Sequence, residues 1–319
     1  MPRLSVIIAT ASPGTSLSPT LGSITANRLP AGWTGELVVV ENGSPRGATE
    51  AVAALLPSAF TTRCLLEPGR GKSRALNLAL AASPGELLLF TDDDVLVPSD
   101  WVERLSAPLR QGVADGVVGW VRLAPHLLRP WMGRQHRAWL ASTADYLDPR
   151  NPSEMIGANM AVRREALWAI GGFDPELGPG VTNGGEESLV SWQLRRAGYR
   201  IVAAPEAEVE HHCSPSRLQY SAWLQAARLK GEARAYQLHH WHHQPILFPR
   251  LRAGWLLAKL ALRRSVQPRR TPQSEGIAPW ELSYVEELST CQRYARERRR
   301  PRHYAPGAVR HRASALFAP

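Results

Sequence analysis

Residues Glu86 to Asp94 read ELLLFTDDD, a nearly unbroken apolar run that stops at three aspartates. Two earlier runs have the same form: LSVIIAT from Leu4 to Thr10 and ELVVVEN from Glu36 to Asn42. Each is apolar until its C-terminal end. Short β-branched runs that end in polar turn residues and lead into Ala/Leu-rich helical stretches predict a parallel sheet covered by helices. The polar residues then gather at one edge of the sheet, where open α/β sheets bind ligands.

Three consecutive aspartates repel one another unless a cation or hydrogen-bond donors offset them, and a divalent cation is their natural occupant. Alternation along a strand puts Asp92 and Asp94 on one face and Asp93 on the other, so the outer pair is expected to share a ligand. An acidic turn or a helix N-cap is the bland alternative. Between the second and third apolar runs, RGKSRALNLALAAS carries Ala75, Leu76, Leu78, Ala79 and Leu80 at helical spacing. It opens with Arg70, Lys72 and Arg74. Cations at a helix N-terminus oppose its dipole, so these bases are expected to await an anion, the alternative being a solvated basic turn.

A chain of 319 residues, 44% of them hydrophobic, can bury a core, and one large domain with an appendage is the starting expectation. The net charge of +10 points to acidic partners, namely nucleotides, nucleic acid or anionic lipid. Cys64, Cys213 and Cys291 are too widely spaced for a paired-thiol zinc motif and too few for a disulfide framework, which fits a reducing cytosol. The N-terminal SVIIA is too short for a signal-peptide core, and no apolar run reaches the ~20 residues of a spanning helix. The expected location is cytoplasmic, in solution or peripheral on the inner membrane face.

From Val113 to Arg163 the pattern is less regular and rich in Pro and Trp, and this is the expected acceptor-facing half. After about Pro215 long, basic, helix-forming stretches take over, then SVQPRRTPQSEG and an Arg-rich tail. The division expected is residues 1–217 as the α/β domain and 218–319 as a mainly helical basic extension with an irregular tail.

Taken in order, SVIIAT, VVVENGS, GRGKSRALN and FTDDDV, followed by GANMAVRREALWAIGGFDPELGPG and GGEESLVSWQLRRAGYRIVAAPEAEVEHH, resemble the family 2 glycosyltransferases with a GT-A fold. The resemblance runs from about Leu4 to His212. It implies a nucleotide-diphospho-sugar transferase architecture, Rossmann-like and mostly parallel, acting with inversion through direct displacement and therefore without an enzyme nucleophile. FTDDDV resembles the DXD motif. By this resemblance Thr10, Glu41 and Asp93 contact the nucleoside, with Glu41 near the base and Asp93 near the ribose. Asp94, with Asp92, reaches the metal, Mn2+ or Mg2+, and His211, preferred to His212, completes the coordination. Arg70, Lys72, Arg74 and Asp92 belong to the same expected nucleotide-sugar site. The catalytic base is Glu187 or, next, Glu186. Both also answer the dipole of the helix they open.

Three positions depart from the family pattern. Glu186-Glu187 stands where Glu-Asp is usual, ATASPGTSL lacks the Tyr-Asn usual after the first strand, and Glu41 stands where Asp is commoner. The donor is UDP-, GDP- or dTDP-linked, and the acceptor is a saccharide or lipid-linked molecule in cell-surface polysaccharide or glycolipid synthesis. Trp192 is expected to pack in the core, with Arg195 or Arg196 free to touch phosphates or acceptor.

GRGKS is not a P-loop, because the position that would hold its first glycine is Leu66. The HHWHH run (His239–His243) reads as a surface or interfacial cluster without a carboxylate partner. The basic tail RYARERRRPRHYAPGAVRHR allows a second class, a nucleotide- or nucleic-acid-binding protein on a degenerate GT-A fold, although the charge lies mainly outside the ordered motifs and no specific nucleic acid is expected. FPRLRAGWLLAKLALRRSVQPRR (Phe248–Arg270) joins apolar residues to Arg and Lys, as expected of a helix on anionic lipid.

Overall fold

A computed structural model describes residues 1–11, 16–182, 184–267 and 271–309. The Ser12–Thr15 part of ATASPGTSL, Asn183, the end of the Phe248–Arg270 segment from Pro268, and the tail from Arg310 lie outside the described residues. The three apolar runs form β1 (Arg3–Thr10), β2 (Thr34–Asn42) and, after β3 (Phe60–Glu67), β4 (Leu87–Thr91). β3 escaped the sequence reading because it is the edge strand, half-exposed along most of its length, and so lacks a continuous apolar run. β5 (Val95–Leu96), β6 (Gly116–Leu123), β7 (Met160–Arg163) and β8 (Ile201–His211) complete one sheet in the order β3-β2-β1-β4-β7-β6-β8-β5. The first four strands in that order are parallel. β7 runs antiparallel to β4 and to β6, β8 runs parallel to β6, and β5 closes antiparallel on β8, so the sheet is mixed.

Alternation sorts the central strands between two cores. Val6, Ile8, Leu37, Val39, Leu87 and Leu89 face α1 (Leu17–Thr25) and α4 (Trp101–Arg110). Ile7, Val38, Val40, Leu88 and Phe90 face α3 (Lys72–Ala82), with α6 (Arg164–Ala169) and α7 (Glu186–Arg196) beside it. Each of these fully buried side chains contributes roughly 1.5–3 kcal/mol, which is why the strands read as continuous apolar runs rather than alternating ones. Short α2 (Ala48–Ala53) and α5 (Arg134–Trp139) fill connections.

The C-terminal part is helical, as expected. α8 (Tyr220–Tyr236) runs into a π-helical turn at Gln237–Trp241, followed by α9 (Pro249–Ser265) and α10 (Pro279–Glu297). Leu123, Leu127 and Leu140 share one core with Trp223, Leu260 and Leu282, so this part packs across the expected boundary at residue 217. The Arg-rich tail is helical as far as Glu297, and its next residues return to the α/β domain. There the fully buried Asp174 accepts hydrogen bonds from Tyr236 (2.9 Å), Trp241 (2.8 Å) and Tyr304 (3.2 Å).

Two expectations are corrected here. His239 and His240 are buried, not at the surface, and His240 Nε2 lies 3.3 Å from Glu297, because the π-helical turn carries them inward beneath α10. Arg195 and Arg196 line neither of the two clefts of the site, and Arg196 is stacked on the half-buried Trp192.

Candidate functional site

The three aspartates follow β4 in a turn rather than extending the strand, so strand alternation does not separate them. The turn achieves the same division by another route. Asp93 folds back to β1, where its carboxylate accepts the Thr10 hydroxyl, and Thr20 Oγ1 donates to its carbonyl at 3.1 Å. Asp92 and Asp94 face the end of β8, where His211 is held by the β5–β8 pairing. One ligand atom from each of Asp92, Asp94 and His211 lies within 4.8 Å of the others.

The proton on His211 shows what this triad can hold. Nδ1 lies 2.9 Å from the Leu140 carbonyl, which only accepts, so Nδ1 carries a hydrogen. In neutral imidazole Nε2 then turns its lone pair toward Asp94 Oδ1, 3.1 Å away. Two facing acceptors repel unless a proton or a cation lies between them. A carbonyl on the far nitrogen is the usual support for a metal-bound imidazole, and a donor set of two carboxylates and one imidazole fits a divalent cation such as Mn2+ or Mg2+. When it is a proton on Nε2 that lies between His211 and Asp94, burial still pushes the Asp94 carboxyl up, but the His211 bond and charge outweigh it and leave Asp94 below the usual carboxylate range. Asp93 goes the other way: burial, opposed by the Thr10 bond and reinforced by the charges of Asp94 and Asp92, raises it to about 6.

Lys72 joins this triad to the acids of α7. Its Nζ lies 2.5 Å from Asp92 Oδ1 and 3.7 Å from Glu187 Oε1. Burial works against its charge, but Asp92, Glu187 and Glu186 together keep it protonated. The anion expected for Lys72 is therefore within the protein, which corrects the reading of a base waiting for a ligand. Gly157 permits the approach, since a Cβ there would overlap Glu187 Oε1 and stand 3.1 Å from Lys72 Nζ. Glu186 is 1% exposed, its Oε2 has no partner among the described residues, and burial followed by the charge of Glu187 holds its carboxyl well above the usual range.

Two clefts meet at Lys72, Asp92, His211 and Arg217. The first, about 580 Å³, is lined by Thr10, Asn42, Arg46, Arg70 and the three aspartates. The second, about 830 Å³, is lined by Glu187, Glu186, Glu154, Tyr146 and Trp139, and by Lys230 and Gln237 from α8 and the turn that follows it. Glu41 lies beneath the first cleft, buried, accepting the Arg46 amide and so shaping the loop that lines it. Arg74 is exposed and lines neither cleft. Among residues the sequence reading missed, Asn42 ties down the loop before α3 by donating to the Gly69 carbonyl (2.6 Å) and accepting the Gly71 amide (2.9 Å). Its signal was there, in the polar end of β2. Arg217, Glu154 and Tyr146 come from stretches without periodicity, and nothing local marked them.

With this geometry in place, residues 5–171 match the model of Glycosyl transferase family 2. The chain belongs to that family. Consistent with this, the glycosyltransferase is 30% identical over 222 residues to the succinoglycan biosynthesis protein ExoM of Rhizobium meliloti, a match covering 67% of this chain and 68% of that protein. It is 26% identical over 233 residues to human polypeptide N-acetylgalactosaminyltransferase 10, covering 66% of this chain but only 38% of that longer protein. Among solved structures, the mannosyltransferase PcManGT from Pyrobaculum calidifontis, in complex with GDP-Man and Mn2+, superposes with a TM-score of 0.61 at 20% identity, over 92% of this chain and 87% of that one. S. aureus TarS 1–349 in complex with UDP superposes at 0.51 and 15% identity, over 93% and 91%. The mixed sheet of this family 2 glycosyltransferase, with its flanking helices, is therefore the GT-A fold.

Proposed function

We propose that this glycosyltransferase moves a sugar from a nucleotide-diphosphate donor to an acceptor hydroxyl with inversion, and that it needs a divalent cation to do so. The observation that carries the reading is the meeting of the two clefts, with Asp92, Asp94 and His211 on one side of Lys72 and Glu187 on the other. In this reading the first cleft takes the nucleotide, with Asp93 and Thr10 near the ribose and Arg70 and Arg217 near the phosphates. Glu41 acts on the base by setting the Asn42–Arg46 loop. Asp92, Asp94 and His211 hold Mn2+ or Mg2+, which supplies positive charge for the departing diphosphate.

The second cleft takes the acceptor. Glu187 faces it and is the base, removing the proton of the attacking hydroxyl as the new glycosidic bond forms and the bond from the anomeric carbon to the diphosphate breaks. Lys72 sets a positive charge beside Glu187 and fixes its position. Glu186, buried and with its carboxyl held well above the usual range, supports Glu187 rather than acting as the base itself. The likeness to a succinoglycan biosynthesis protein supports a saccharide or lipid-linked acceptor in polysaccharide or glycolipid synthesis.

The deciding experiment is thermal stabilisation by UDP, GDP and dTDP, with and without Mn2+, on the intact protein and on Asp94→Ala. One nucleotide is expected to raise the melting temperature only with metal and only with Asp94 present. No shift with any nucleotide would leave a degenerate fold used for binding.

A further inference from the structure

Helix α9 has two apolar faces and only one of them is covered. Ala253, Leu256 and Leu260 are buried, packed against α10 and the third core. On the opposite side Leu251, Trp255 and Leu262 recur at helical spacing and stand 73%, 56% and 70% exposed, and Phe248 and Val266 extend the stripe at its ends, both more than 70% exposed. Isolated exposed hydrophobic residues need no explanation, but a contiguous stripe along a helix marks a contact surface.

The charge beside the stripe identifies the contact. No aspartate or glutamate occurs between Glu232 and Glu275. Within that span Arg252 and Arg264 reach carboxylates of α10 and Arg263 lies over the Trp280 and Tyr284 rings of the same helix, whereas Arg250 and Lys259 have no carboxylate partner among the described residues. Lys259 lies over the Trp255 ring at 3.6 Å, which sets its ammonium at the margin of the stripe. A second copy of the chain is a poor occupant, because a two-fold contact would bring these cations against themselves. No helix among the described residues is long and apolar enough to cross a membrane.

We propose that α9 docks this enzyme on an anionic lipid bilayer, lying in the plane of the surface with Leu251, Trp255 and Leu262 among the acyl chains and Arg250 and Lys259 at the headgroups. Apolar insertion supplies part of the affinity and attraction to acidic headgroups the rest, the combination expected of an interfacial helix.

The test is flotation of the full chain with phosphatidylcholine vesicles and with vesicles that also contain phosphatidylglycerol. The protein is expected to float with the anionic vesicles, more weakly with the neutral ones, and less as salt is raised. The triple variant Leu251→Ser, Trp255→Ser, Leu262→Ser alters only exposed side chains, so its melting temperature should hold while its partitioning falls by roughly tenfold or more. Arg250→Glu with Lys259→Glu should remove the preference for anionic vesicles and leave the binding to neutral ones. Failure of the intact protein to float, or equal flotation of the triple variant, would overturn the proposal. So would a dimer in sedimentation that the triple variant turns into a monomer, since the stripe would then be an interface between copies.

Discussion

Lys72 stands between carboxylates that would otherwise repel one another, and its removal separates electrostatic support from chemistry. Lys72→Met leaves Asp92, Glu187 and Glu186 facing one another without a counter-charge. Unfolding in denaturant should show a loss of about 3 kcal/mol, the scale for breaking a buried pair from one side. Glu187 and Glu186 are adjacent in sequence but differ in environment, and their amide variants should differ accordingly. Glu187→Gln should lower the transfer rate by about 10²–10⁴-fold while leaving the nucleotide-induced melting shift in place, as loss of a general base predicts. Glu186→Gln replaces a buried carboxyl that burial and the charge of Glu187 hold well above the usual range, so it should cost less than about tenfold in the same assay. Equal losses for the two variants would remove the assignment of Glu187 as base. The residue types at this site were readable from the chain, but the approach of Glu187 to Lys72 depends on a glycine, Gly157, in a loop distant in sequence.

Among the helices and strands, the extension is tied to the α/β domain by a few buried polar contacts. Asp174 lies in the loop after α6 and collects donors from α8, the π-helical turn and the returning tail. Asp174→Ala orphans three of them at once and should make the segment after Glu297 more susceptible to limited proteolysis, with a stability loss of about 3 kcal/mol. The histidine turn has a pH signature. Burial lowers His240 to about 4, despite its bond to Glu297. Its neutral form is favoured in the fold while the unfolded chain binds a proton near pH 6.5, so its contribution is fully present above that pH and is lost as pH falls toward 4. Burial raises Glu297, but Arg293 and His240 outweigh it and leave the carboxyl below its ordinary value, so Glu297 also loses its contribution in the acid direction. Melting temperatures measured from about pH 7.5 down to about pH 4.5 should fall, and His240→Phe should flatten the upper part of that slope. These contacts were not legible in the chain, since they join residues 57 to 130 positions apart around a π-helical turn that no local pattern announced.

For the molecule as a whole, the shared core of Leu123, Leu127, Leu140, Trp223, Leu260 and Leu282 predicts a single cooperative unfolding transition, observable by calorimetry, despite the change of composition near residue 217. Two separated transitions would show that the extension folds on its own. The same packing makes α8 a wall of the second cleft, so the extension shapes the site as well as the stability. Much of this was written locally in the chain. Buried strands must be apolar on both faces, a strand that ends in aspartates must offset their charge, and the order of these segments carries the family and the α/β class. Other features depend on distance through space, and only folding created them. It put β3 at an edge, where burial leaves no pattern, and brought His211 from the far end of β8 against a turn after β4. It also gave Lys72 an internal anion and left one face of α9 uncovered. A sequence states which side chains are present and how they repeat, but the pairing of charges and the cover on a helix face are set only when the chain closes on itself.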